Sequence, residues 1–130
     1  MDPREAAGRF ARTWQIGWTT HDTALLAALY ADTCVHRSMP FRPVHQGKTE
    51  LIEYLAWSFA SEEIVQVRFG EPLVDGRTAA VEFLVHANED GQPVTLAGCV
   101  FVTFDDEGLV TESRDYWHTT EGHVELTRPR

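Results

Sequence analysis

The chain has no long hydrophobic run, no two adjacent Lys/Arg residues, one lysine (Lys48) and two cysteines among 130 residues. Each shortage removes a class of function. No stretch approaches the roughly 18 apolar residues of a membrane span, and the N-terminal MDPREAAGRFARTW carries charges where a secretory leader needs an apolar core. The expectation is a cytoplasmic protein without a membrane partner. Acids outnumber bases 20 to 11, a net charge of -9 that repels phosphate backbones, so nucleic acid is not an expected partner. Cys34 and Cys99 lie inside candidate strands without ligand spacing, which reads as reduced core residues and no metal site. Gly47-Lys48-Thr49 has the ending of a phosphate-binding loop, but Arg42 stands where that loop needs its first glycine. A Gly-x-Ser-x-Gly elbow, a Cys-His nucleophile arrangement and a dinucleotide fingerprint are missing too, so no cofactor is expected.

What the chain does have is ordered periodicity. Phe10, Trp14 and Trp18 recur every fourth residue and predict a first helix over about 3–19. Asp22 is a candidate N-cap for a short second helix carrying Leu25, Leu26, Leu29 and Tyr30 and ending near Asp32. A strand over 34–39, a loop over 40–47 with two prolines, and a third helix over about 48–60 follow. Four long strands are predicted near 64–74, 77–88, 94–105 and 109–118, with glycine in the turns where a hairpin needs positive φ. The tail after Thr119 reads as loose. The order ααβαββββ describes one α+β domain over 1–130, three helices packed on a strongly curved antiparallel sheet that encloses a cavity. Long strands leave an outer sheet face to be covered, and a second copy is the simplest cover, so a homodimer is expected.

Three local patterns carry a family resemblance: His21-Asp22-Thr23-Ala24-Leu25-Leu26-Ala27-Ala28-Leu29-Tyr30-Ala31-Asp32, Gly47 opening the third helix, and Phe104-Asp105-Asp106-Glu107-Gly108-Leu109-Val110 leading to Arg114-Asp115-Tyr116-Trp117. With them the chain resembles the NTF2-like superfamily, with its cystatin-like cone, in its SnoaL-like branch. Relatives include polyketide cyclases, ketosteroid isomerases and limonene-epoxide hydrolases. At the isomerases' catalytic places this chain has Trp14, Ser38 or Met39, and Val100, none of which replaces the missing group. The hydrolases' Arg-x-Asp is absent from Val81-Glu82-Phe83-Leu84-Val85, and only Arg114-Asp115-Tyr116 survives. The resemblance is best to the cyclases and implies a cofactor-independent cyclase, isomerase or hydrolase acting on a small apolar or aromatic carbonyl compound. The alternatives are a ligand binder without chemistry and a dimeric interaction module.

Strand alternation puts Ser113, Asp115 and Trp117 on one face of the last strand. If that face is inward, burial raises the Asp115 carboxyl toward neutrality and suits it to acid/base work; the other reading is a surface or interface aspartate paired with arginine. His36, His86 and His118 fall on strands, and one opposite Asp115 would complete a dyad. His45, in the proline-rich loop, is a candidate gate. The resemblance maps ligand contacts to Trp14 and Trp117, with Tyr30 and His36 shaping the site. Trp18 and Phe59 read as core, and Glu82 as an outer-face charge.

Overall fold

The computed structural model describes residues 1–127 and contains three helices on one large curved sheet. Helix α1 (Pro3–Thr20) starts at Asp2, whose side chain accepts from the Arg4 N–H at 3.1 Å, with Pro3 in the first turn. It stops at His21, which takes a left-handed conformation (φ 52°) and returns its N–H to the Gly17 and Trp18 carbonyls. Asp22 caps α2 (Thr23–Ala27) by accepting from the Leu25 N–H at 3.0 Å. A Cβ on Gly17 would stand 2.6 Å from Leu26 Cδ2, so glycine is what lets α2 fold back against α1.

The second helix is shorter than its apolar pattern predicts. Strand β1 spans Tyr30–Ser38, and Val110 N donates to the Leu29 carbonyl at 2.9 Å, so pairing with the last strand captures Leu29 and Tyr30 from the helix. After β2 (His45–Gln46) and α3 (Gly47–Phe59) come β3 (Glu62–Phe69), β4 (Leu73–Asp75), β5 (Thr78–Glu89), β6 (Gln92–Phe104) and β7 (Val110–Glu121). The long strand expected over 64–74 is split in two, because Gly70-Glu71-Pro72 interrupts the ladder and Pro72 has no N–H to give. The tail after Thr119 is also corrected as far as Val124. Strand β7 continues to Glu121, and beyond it Thr95 Oγ bonds the Gly122 carbonyl (2.7 Å) and the Val124 N–H (2.8 Å). Residues 128–130 lie outside the described residues.

The sheet order is β2-β1-β7-β6-β5-β3, with β4 on the edge of β5. The expected α+β cone is present, but its sheet is mixed rather than wholly antiparallel, since β1 runs parallel to β7. The two strands are not joined by a hairpin, so no turn dictates their relative direction. That parallel pair sets His36 beside Ser113 and Ser38 beside Asp115 in register. The concave face of β5 carries Ala79, Val81, Phe83, Val85 and Ala87, all buried against Phe10, Leu51 and Leu55 of the helices. Glu82 is exposed on the outer face, as expected. Cys34 and Cys99 are free, the first buried and the second half-buried. Among the described residues no helix is long and apolar enough to cross a membrane, and no cluster of side chains could hold a metal ion.

Candidate active site

Between the helices and the concave sheet lies a cavity of about 360 Å³, a volume that suits a small organic ligand. Its walls are aromatic: Trp14 and Trp18 from α1, Tyr54 and Trp57 from α3, Trp117 from β7. Every residue singled out for the site from the sequence, Asp115, Trp14, Tyr30, His36 and Trp117, lines this one space.

Asp115 lies mid-strand on β7, and its side chain retains 20% exposure. Burial raises its carboxyl from the ordinary 3.8 to about 7. His36 faces it, with Nε2 3.5 Å from Oδ2. His36 itself is 3% exposed, and burial, reinforced by His45, lowers it to about 4, so the imidazole is neutral at physiological pH.

The tautomer of that neutral ring follows from hydrogen-bond bookkeeping. Trp14 Nε1 donates to the Tyr30 hydroxyl at 3.1 Å, Ser113 is a polar neighbour of that hydroxyl, and Ser113 Oγ lies 2.6 Å from His36 Nδ1. An indole N–H can only donate. The arrangement that gives every hydrogen of this series an acceptor passes the Tyr30 proton to Ser113 and the Ser113 proton to Nδ1. The remaining ring proton is then on Nε2, the nitrogen 3.5 Å from Asp115 Oδ2. Burial also holds the Tyr30 hydroxyl well above its usual range, which keeps it a donor. Trp14→Phe removes the terminal donor, so nitrogen NMR of His36 is expected to change from a single Nε2–H form to a mixture of tautomers, with the melting temperature changed little.

The opposite wall is built from β1 and α3. Trp117 Nε1 donates to Ser38 Oγ at 3.3 Å, and the Arg42 guanidinium lies 5.1 Å from the Trp117 ring centre at the rim. Tyr54 has Ser38 and Ser58 as polar neighbours, and burial raises its hydroxyl so that it stays protonated. Met39, with φ 75°, turns the chain out of β1 and accepts the Trp117 N–H on its sulfur at 3.3 Å.

Other candidates fall elsewhere. His86 is on the outer face, donating from Nε2 to the Val124 carbonyl at 2.9 Å, and His118 is exposed. His45 packs on Tyr54 with the rings tilted and their centroids 4.7 Å apart, and it lines an adjoining groove rather than the cavity. Trp18 and Phe59 pack on the core but also line the cavity, which corrects their reading as core alone. Glu62, overlooked in the sequence, is a second carboxyl on the lining. The pair Glu62-Glu63 reads as a solvated start of a strand, and only the packing of α1 across it shows otherwise.

A family model described as SnoaL-like domain matches residues 9–113. No match was found among curated proteins. Among solved structures, a candidate SnoaL-like polyketide cyclase from Mesorhizobium loti is 26% identical, with 89% of this chain and 99% of that chain covered at a TM-score of 0.75. A Mycobacterium tuberculosis protein in complex with estradiol-17beta-hemisuccinate is 20% identical, with 88% and 98% covered at a TM-score of 0.75. An LEH-like epoxide hydrolase from the same organism is 19% identical, with 88% and 84% covered at a TM-score of 0.72.

Proposed function

Because the chain belongs to the SnoaL-like domain family, we propose that it is a cofactor-independent enzyme in which Asp115 moves a proton on a small apolar or aromatic carbonyl compound held in the cone. The carrying observation is the Asp115 carboxyl, raised to about 7 inside an aromatic cavity and faced by a neutral imidazole. A group with that affinity for protons is shared between acid and base forms at physiological pH, as proton transfer in both directions requires.

The step is the transfer of a proton from the carbon next to the carbonyl to the Asp115 carboxylate. The electron pair of the broken C–H bond moves into the enolate, whose oxygen takes hydrogen bonds from protonated donors on the wall, Tyr54 being the candidate. Returning the proton to a different atom gives isomerisation, and attack of the enolate carbon on a second carbonyl gives cyclisation. His36, by donating from Nε2, steadies the carboxylate without competing for the proton. The test is exchange of the protons beside the carbonyl of bound aromatic ketones for deuterium in heavy water, followed by NMR. Exchange accelerated by the protein supports the reading, and ketones that bind without accelerated exchange leave a ligand-binding protein.

That second reading has support of its own. Trp14, Ser38 and Val100 occupy cavity positions where the resemblance puts the isomerases' polar groups, and a neighbour of the same fold is seen with a steroid ester.

The outer face of the sheet is proposed as the contact with a second copy. Ala97, Cys99 and Phe101 are half-buried there, Phe101 meets Tyr116 edge-on at 5.8 Å, and Tyr116 is 39% exposed. Phe101→Asp is expected to shift the protein from dimer to monomer in size-exclusion chromatography with light scattering. A wild-type monomer would rule this surface out.

A further inference from the structure

Asp115 and Glu62 occupy different ends of the cavity. Glu62 opens β3, three strand positions from β7 in the sheet order. Its cross-strand partner is Glu89, whereas the level of Asp115 continues through Val100 to Val81, eight residues earlier on β5 (89 − 81). The Glu62 side chain is 9% exposed; Oε1 accepts from Trp18 Nε1 at 3.0 Å and lies 3.5 Å from His21 Nε2. Glu89 lines the cavity as well. Around this end stand Trp18 and Phe59, and the one Lys or Arg among the described lining residues, Arg42, is over Trp117 at the other end.

This end therefore has negative charge, aromatic faces and no cation of its own. Burial keeps the Glu62 proton on up to about 7; the Trp18 indole opposes that effect and Glu89 adds to it. The His21 imidazole supplies little positive charge, since burial lowers it and Phe59 is stacked on it at 4.5 Å. A buried carboxyl without a counter-charge is a poor neighbour for an apolar group and a good one for a ligand ammonium. Such a group brings the charge and the N–H donors together and finds the rings favourable on their faces.

We propose that the Glu62 end of the cavity is a cation subsite that receives a protonated amine at the far end of an elongated aromatic ligand. It rests on the reading of the cavity as a small-molecule site and adds the charge of the ligand to it. A neutral hydroxyl fits less well, because it accepts or donates one hydrogen bond and leaves the carboxylate uncompensated.

The test uses para-acetylbiphenyl carrying an aminomethyl, a hydroxymethyl or an ethyl group at the opposite para position, titrated calorimetrically into the full chain. The amine is expected to bind roughly tenfold or more tightly than the ethyl compound, the gain of a charge-assisted hydrogen bond. Its affinity relative to the ethyl compound, which senses the Asp115 end alone, should rise between about pH 6 and about pH 8 as Glu62 gives up its proton. Groups facing Glu62 are Trp18 and His21 from the α1 side and Glu89 from β5. Glu62→Gln keeps an oxygen for the Trp18 N–H and removes the charge, so it should abolish the amine preference, while Glu89→Gln should retain most of it. Equal affinities, a preference for the hydroxymethyl compound, or a preference that survives Glu62→Gln overturns the subsite alone. Should Glu62→Gln fail to fold, the wild-type pH dependence decides by itself, a flat profile overturning the subsite. Binding of none of the three overturns the ligand-cavity reading and the subsite with it.

Discussion

Asp115→Asn is expected to lose turnover by roughly a hundred- to ten-thousandfold, the usual contribution of a positioned acid/base, and to melt at a higher temperature than wild type above neutral pH. Asparagine nearly matches the carboxylate in size and keeps an oxygen facing His36 Nε2, so the cavity keeps its shape. What disappears is a proton-accepting group and the cost of ionising it in a buried place. The sign follows from the two protonation states. In the unfolded chain Asp115 ionises near its ordinary 3.8, and in the fold it holds its proton to about 7. Between these values the folded state binds more protons, so the wild type loses stability as pH rises, on the order of 4 kcal/mol once past the upper value. Asparagine avoids that loss. The gap in melting temperature between variant and wild type should be widest above about pH 7.5 and close toward about pH 4. A variant that retains wild-type turnover removes Asp115 from the mechanism, and one that loses turnover without becoming more stable implies an ordinary, unstrained carboxylate. The combination of dead and stabilised is what a functional site held at the expense of the fold produces.

The sequence announced much of this site and hid the rest for a definable reason. Alternation along β7 is a local property, so the shared face of Ser113, Asp115 and Trp117 could be read from the sequence, while its turning inward could not. The spacing of Trp14 and Trp18 likewise gave a stripe on α1. What alternation cannot provide is which strand lies beside which. His36 reaches Ser113 across 77 residues of chain because β1 pairs with β7, and no residue pattern encodes that neighbour. The same long-range pairing took Tyr30 out of a helix it suits and made it the first residue of a strand. Glu62 was invisible for a related reason: its surroundings belong to α1, 44 residues earlier, through the Trp18 indole. Resemblance added the cone and one carboxylate; the polar series that orients His36 emerges only from the packed structure.

Gly98→Val should be the most damaging single change outside the hydrophobic core. Gly98 lies on β6 opposite Trp117, and a Cβ there would stand 2.2 Å from the Tyr116 carbonyl oxygen, 2.5 Å from Trp117 Cβ and 2.7 Å from Trp117 Cα. Two of those atoms are backbone and the third is fixed to it, so no rotamer change relieves the contact. The bend of the sheet brings β6 and β7 together at this point, and the missing side chain leaves the concave surface clear for the Trp117 indole. Gly76 makes the useful contrast. Its φ is 59°, but a Cβ there meets nothing within 4 Å, so Gly76→Ala carries only the left-handed penalty of about 1 kcal/mol. Overpacking a site that cannot yield costs about 3 kcal/mol, equivalent to a fall of roughly 10 °C in Tm for a domain of this size. The consequence reaches the cavity as well. Strands forced apart at Gly98 carry Trp117 away from Ser38 and Arg42, so ligand affinity measured by quenching of tryptophan fluorescence should fall together with stability. A Gly98→Val protein that melts with the wild type and binds as tightly would mean that β6 and β7 do not approach so closely, and that the wall bearing Asp115 is flatter than the contacts at Gly98 require.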